Sequence, residues 1–224
     1  MSTTFGVIRF SHLGFSSMNQ IFERITQNIA DHGYSVVENA LPKALALALQ
    51  NEFQTLDKNS FKAAGIGRGE AHQKGLDIRS DKIHWIDKES DAGALWLTWA
   101  EGLQQYLNRA LYLGLFSFES HFASYGINDF YKKHLDAFKG QSNRKLSLVT
   151  YLNDSWENKD AGELVIFGRE NKEITRVLPK LGTVVVFLSE DFPHEVLPAN
   201  RSRASIAGWF RVNNSVGGQI DPPR

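Results

Sequence analysis

From Ser117 to Val212 the chain reads as a run of short extended pieces, and that run limits the fold more than any other feature. Ser117–Tyr125, Phe130–Phe138, Lys145–Asn153, Leu164–Gly168, Ile174–Leu178, Thr183–Leu188, His194–Leu197 and Ala204–Val212 have strand character. Turn-forming stretches punctuate them, among them Gly126-Ile127-Asn128-Asp129, Gly140 to Asn143, Asn153-Asp154 and Pro179 to Gly182. Helical patterns come first. Asn19–His32 sets Ile21, Phe22, Ile25 and Ile29 on one stripe and stops at Gly33, and Pro42 opens a helix that runs to about Leu56. Ala92–Leu113 carries Leu95, Trp96, Trp99, Leu103, Tyr106, Leu107 and Leu111 at helical spacing, a packing stripe and not a cofactor box. Tyr34–Val37 and Asp77–Asp87 read as further strands, and Met1–Ser17 as either a strand against the domain or a leader. Helices followed by about eight strands predict an α+β fold. Its core is a double-stranded β-helix (a jelly roll of cupin type) with the N-terminal helices packed on one sheet. All 224 residues read as one domain, with helical support over 19–113 and the roll over about 117–212.

Composition excludes several classes. With 25 basic and 25 acidic residues there is no net charge to drive non-specific binding to nucleic acid or to an anionic membrane. The absence of cysteine rules out disulfides and thiolate metal sites. No apolar run approaches a bilayer span and the N-terminus lacks a signal pattern, so a cytoplasmic protein is expected. Gly65-Ile66-Gly67-Arg68-Gly69 superficially suggests a phosphate loop, but no strand precedes it and no helix follows. The stretch Lys58–Leu76 reads instead as a mobile loop.

The chemistry concentrates in the strand region. On an extended strand His134 and Asp136 project to the same face, placing one imidazole and one carboxylate together. His194 follows the buried strand Thr183–Leu188 and offers a third ligand. Two histidines and one carboxylate suit non-haem Fe(II) with further coordination positions open. Nine residues past His194 stands Arg203, whose guanidinium fork matches a carboxylate.

Asp77-Ile78-Arg79-Ser80-Asp81-Lys82-Ile83-His84-Trp85-Ile86, Tyr151-Leu152-Asn153 with Trp156, and Pro193-His194-Glu195-Val196 with Arg203 carry a family resemblance. From Asp77 to about Val212 the chain resembles the prolyl-hydroxylase branch of the Fe(II)- and 2-oxoglutarate-dependent dioxygenases. It is most similar to bacterial enzymes akin to the animal hypoxia-inducible-factor prolyl hydroxylases (the egg-laying-nine or SM-20-like group). The resemblance implies Fe(II) on His134, Asp136 and His194, with 2-oxoglutarate and O₂ as cosubstrates and ascorbate as a reductant. It implies that Arg203 and Tyr151 hold the distal carboxylate of 2-oxoglutarate. Tyr125 lies near its metal-bound end, although the Tyr125–His134 spacing is one residue shorter than in the family. Leu164, Val196 and Trp209 match the pocket walls. Asp81 and Arg144 match positions that pair across the mouth, and Arg79 joins them in contacting the substrate, with the Gly65–Lys74 loop as a lid. The implied substrate is a proline in a protein, elongation factor Tu among the candidates. Where the family has Gly-Gly-Glu-Leu this chain has Ala161-Gly162-Glu163-Leu164, and a positive φ at the first position would strain alanine. Two other readings stay open: hydroxylation of a free amino acid or small metabolite in the same fold, and a cupin-like domain that holds metal without turnover. Oligomeric state is not legible in the sequence.

Overall fold

The computed structural model describes residues 12–65, 78–137 and 142–213. Among the described residues are three α-helices, α1 (His12–His32), α2 (Lys43–Thr55) and α3 (Asp91–Leu111), and eleven strands. These are β1 (Tyr34–Val37), β2 (Lys62–Ala63), β3 (Lys82–Trp85), β4 (Leu115–Tyr125), β5 (Tyr131–His134) and β6 (Arg144–Tyr151), then β7 (Leu164–Phe167), β8 (Glu173–Val177), β9 (Val184–Leu188), β10 (His194–Val196) and β11 (Arg203–Val212). The large sheet runs β1-β9-β6-β11-β4-β3-β2 and the small one β5-β10-β7-β8. The eight strands β4–β11 divide evenly between the two, as the expected jelly roll requires, while β1, β2 and β3 widen the large sheet.

Strand alternation decides what each face buries. Leu146 and Leu148 of β6, Val184 and Val186 of β9, and Ile206 and Phe210 of β11 join Phe22, Ile25, Leu49, Trp96 and Leu103 in a core between helices and large sheet. The alternate positions Tyr151, Val185 and Phe187 meet Leu164, Ile166 and Val196 of the small sheet in a second core, inside the roll. Because β9 is covered on both faces, Val184–Leu188 is apolar without alternation. The sheet–helix layer is close at Gly208, where a Cβ would stand 2.6 Å from the Phe118 ring and 2.9 Å from the Glu119 carbonyl. Trp96 fills that layer and donates its indole N–H to Ser120 Oγ at 3.0 Å.

Several expected boundaries shift. Helix α1 begins at His12, not Asn19, so the reading of Met1–Ser17 as strand or leader fails over its last six residues; Gly14, a poor helix former, hid the start. Residues 1–11 lie outside the described residues, as do 66–77, which hold most of the expected lid and Asp77. The expected strand Asp77–Asp87 contracts to β3, preceded by an isolated bridge between Arg79 and Tyr131. Phe130–Phe138 contracts to β5, so Asp136 sits in a bend past the strand end. Among the described residues no helix is long and apolar enough to cross a membrane.

The tight layer at Gly208 generates a prediction. Gly208→Ala puts a methyl against backbone that cannot yield, and should cost about 1–3 kcal/mol of stability. A urea melt checks this, and an unchanged midpoint would show that the layer has slack.

Candidate metal and cosubstrate site

Two antiparallel strands bring the histidines together. His134, the last residue of β5, is the register partner of His194, the first of β10, and their ring centroids lie 4.2 Å apart. His134 Nδ1 lies 2.8 Å from the Lys132 carbonyl and His194 Nδ1 lies 3.2 Å from the Phe192 carbonyl. A carbonyl only accepts, so Nδ1 carries the proton in each ring and Nε2 is the atom turned toward a metal. Asp136 closes the group, with Oδ1 3.5 Å from His134 Nε2 and Oδ2 3.6 Å from His194 Nε2. One potential ligand atom from each of the three lies within 4.8 Å of the others. Burial, with His134 alongside, pushes His194 down to about 4, which keeps it neutral and ligating at pH 7. Burial alone would raise the Asp136 carboxyl, but the two imidazoles and the Ser147 hydroxyl outweigh it and hold the carboxyl well below the usual range. Two imidazoles that turn Nε2 toward one carboxylate fit a divalent transition metal with coordination positions to spare.

The sequence argument put His134 and Asp136 on one strand; the structure brings them together differently. Past the end of β5 the chain bends, and Ser147 of β6 donates to Asp136 Oδ2 at 2.6 Å. Ser147 was not singled out in the sequence, because a lone serine on a strand carries no pattern.

Arg203 opens β11 opposite Tyr125 and is only 2% exposed. Its Nε donates to the Gly162 carbonyl and its Nη1 to Ser205 Oγ, each at 3.1 Å. Tyr125 and Tyr151 flank the guanidinium, their ring centroids 4.8 and 5.2 Å from its central carbon. Among the described residues no carboxylate pairs with it. The Tyr151 hydroxyl beside it is buried without a partner in hydrogen-bond geometry, and burial raises the pKa of both tyrosines well above the ordinary value. A buried cation and an orphaned hydroxyl are costly unless a ligand satisfies them, and a carboxylate fits both. Arg201 and Arg211 are engaged elsewhere, Arg201 with Asp160 and the Trp156 ring, Arg211 with Glu119.

The rest of the Tyr151-Leu152-Asn153 motif is architectural. Asn153 donates to the Pro179 and Ala204 carbonyls and accepts from the Ala204 N–H, fixing the start of β11 beside Arg203. Trp156 donates to the Ala161 carbonyl at 2.8 Å. Ala161 has φ 53° and ψ −145°, so the positive φ anticipated for this turn is present, on a residue with a Cβ. Gly162 follows at φ 75°; a Cβ there would meet Ala199 at 2.7 Å and Arg203 Cδ at 3.5 Å. Leu164 and Val196 are buried register partners inside the roll. Trp209 is buried too, and its indole N–H has no acceptor among the described residues.

One expected pairing is corrected. Asp81 does not meet Arg144: both its oxygens are taken by Arg79, at 2.7 and 2.6 Å. Arg144 bonds Glu119 at 3.1 Å and stacks over the Trp209 ring at 3.5 Å. The reason is reach, since Arg79 lies two residues from Asp81 and its flat fork closes on the carboxylate bidentately. Arg79 also covers the Tyr131 ring at 4.2 Å, and Tyr131 stacks on the His134 imidazole at 3.5 Å. Burial pushes the Tyr131 phenol up to about 12. Tyr131 and His121, which lies between Trp85 and Trp209, escaped the sequence reading because neither stands in a spacing pattern.

Two predictions arise here. Ala161→Gly relieves strain of roughly 1–3 kcal/mol and loses part of it to chain entropy, for a net gain of about 1 kcal/mol in a denaturant melt. His121 supplies a pH dependence: burial, with Arg79 nearby, pushes it down from 6.5 to about 4. Between those values the unfolded chain binds more protons than the folded one, so its contribution is complete above pH 6.5 and is lost as pH falls toward 4. His121→Gln should remove up to about 3 kcal/mol of that acid sensitivity. Parallel slopes of stability against pH in the two proteins would refute the assignment.

Residues 120–211 match the family model described as the 2OG-Fe(II) oxygenase superfamily. The chain is 28% identical to human Egl nine homolog 1 over 198 residues, covering 84% of this chain and 46% of the human protein. It spans about half the length of the mammalian relatives it matches and 28% of the Caenorhabditis elegans hypoxia-inducible factor prolyl hydroxylase. Among solved structures, a Pseudomonas putida prolyl-4-hydroxylase is 38% identical with a TM-score of 0.77, covering 86% of this chain and all of that one. A Trichoplax adhaerens prolyl hydroxylase, solved in complex with a hypoxia inducible factor peptide, shares the fold at 22% identity and a TM-score of 0.76, covering 90% of this chain and 93% of that one. The metal-fitting triad, the matched span and the full-length likeness to the Pseudomonas enzyme agree, and the chain belongs to the 2OG-Fe(II) oxygenase superfamily.

Proposed function

We propose that the chain is a 2-oxoglutarate-dependent prolyl hydroxylase acting on a proline within a protein. The observation that carries this reading is Arg203, a buried guanidinium with no carboxylate beside it among the described residues, on a β-roll that also presents two imidazoles and a carboxylate. A domain that only held metal would have no use for that charge.

His134, Asp136 and His194 hold Fe(II). Arg203 binds the distal carboxylate of 2-oxoglutarate, the Tyr151 hydroxyl donates to the same carboxylate, and Tyr125 packs along the keto acid. Leu164, Val196 and Trp209 wall the cosubstrate from water. When bound with 2-oxoglutarate and O₂, Fe(II) supplies an oxidative decarboxylation to succinate and CO₂ that is coupled to C–H hydroxylation, with ascorbate as a reductant. The protein's work is orientation. Gly162 and Ser205 fix the guanidinium, and the two carbonyls on Nδ1 fix both imidazole tautomers. Arg79 and Arg144 contact the protein substrate, and Asp81 takes part by holding Arg79. The relatives named as prolyl hydroxylases and the peptide complex of the Trichoplax enzyme support a peptidyl proline as the target. Elongation factor Tu is the candidate to test first, in a cytoplasmic setting.

Arg203→Ala should remove about 2–4 kcal/mol of cosubstrate binding, raising the 2-oxoglutarate requirement roughly thirtyfold to several hundredfold with iron affinity nearly unchanged. Arg203→Lys should fall between, since an ammonium lacks the fork. His194→Ala should lose both turnover and iron. Succinate release with Fe(II), ascorbate and 2-oxoglutarate, run beside mass spectrometry of elongation factor Tu and a prolyl-peptide library, measures these outcomes. No succinate and no hydroxyproline under any of these conditions would sink the proposal.

A further inference from the structure

We propose that Ser147 is a positioning residue for the metal site: its hydroxyl, itself held by Ser189, commits one oxygen of Asp136 and leaves the other to the metal. The inference rests on the assignment of His134, Asp136 and His194 as ligands. The two histidines sit on paired strands, but Asp136 lies in a bend past the end of β5, where no sheet pairing sets its direction. Its orientation has to come from a contact. Ser147 supplies it from β6, which is paired on both sides, with a charge-assisted hydrogen bond of 2.6 Å to Oδ2.

The hydroxyl chain has a direction. Ser147 Oγ also lies 2.9 Å from Ser189 Oγ. A hydroxyl has one proton, and that of Ser147 is given to the carboxylate, so Ser189 is the donor in the second bond. Ser189 is fully buried, its backbone N–H donates to the Lys145 carbonyl at 3.1 Å, and it begins the short segment that delivers His194. The order Ser189, Ser147, Asp136 therefore ties the approach to one ligand to the carboxylate of another. With Oδ2 engaged by Ser147, Oδ1 is the oxygen left to a metal, and a carboxylate held that way would leave one more coordination position open than a chelating one. A site that takes up a keto acid and O₂ depends on that vacancy.

Titration of the full chain with Co(II), followed by calorimetry and visible absorption, tests this without turnover. Ser147→Ala should weaken Co(II) binding about tenfold to a hundredfold and shift the ligand-field bands toward a higher coordination number. Ser189→Ala should weaken it by a smaller factor with the same spectral trend. The double variant should bind no more weakly than Ser147→Ala, because Ser189 acts only through Ser147. His194→Ala is the control: wild-type binding there overturns the triad itself. Loss of binding in His194→Ala beside wild-type affinity and spectrum in Ser147→Ala overturns the relay alone. Additive losses for the two serines do the same. Should Ser147→Ala not fold, Ser189→Ala decides, and an unaltered Co(II) spectrum there ends the proposal.

Discussion

The structure depends on the pairing of β11 with β4 on one side and β6 on the other. Bonded on both edges along nearly its whole length, β11 has no freedom to slip, and a slip of one residue would exchange its two faces. Ile206 and Phe210 are thereby committed to the helix-facing core. Arg203, Ser205, Trp209 and Arg211 are committed to the roll interior. The helices are not bystanders: by covering one face of the large sheet they make the inward direction unambiguous, and a guanidinium ends up where a hydrophobic side chain would otherwise sit.

Charge along that interior is arranged in two ways. Near the far end of β11 the cations meet anions: Arg144 and Arg211 both reach Glu119, and at β3 Arg79 grips Asp81. At the near end Arg203 meets, among the described residues, a carbonyl, a hydroxyl and two aromatic faces. Neutral dipoles orient a buried cation without cancelling it, and the uncancelled charge is what a dicarboxylate ligand would meet. Gly162 makes the arrangement possible by giving up its carbonyl and the volume of a side chain, and the preceding Ala161 carries the backbone strain.

A second line of contacts joins the edge of the large sheet to the metal triad. Asp81 holds Arg79, Arg79 covers Tyr131, and Tyr131 stacks on His134, so the segment before β3 bears on one ligand of the triad through rigid planar groups. Ser147, with Ser189 behind it, meets a second member of the triad, Asp136.

The fold class was legible because strand alternation and helical stripes are local. The valine run of β9, the stripe on α3 and the turns between strands each declare themselves within a few residues. His134, Asp136, His194 and Arg203 were legible as an ordered set, since their chemistry and spacing are written along the chain. What the sequence could not contain is which groups meet across it. Asp81 takes Arg79 and not Arg144, Asp136 is aimed by Ser147 and not by a strand pleat, and Tyr131 lies flat on His134. Each of these is a contact of one or two side chains with no period and no motif, and only the tertiary packing of β3, β5 and β6 decides it. That no described carboxylate stands beside Arg203 belongs to the same class: a sequence lists every acid in the chain, but burial and direction determine which groups stand beside a given cation.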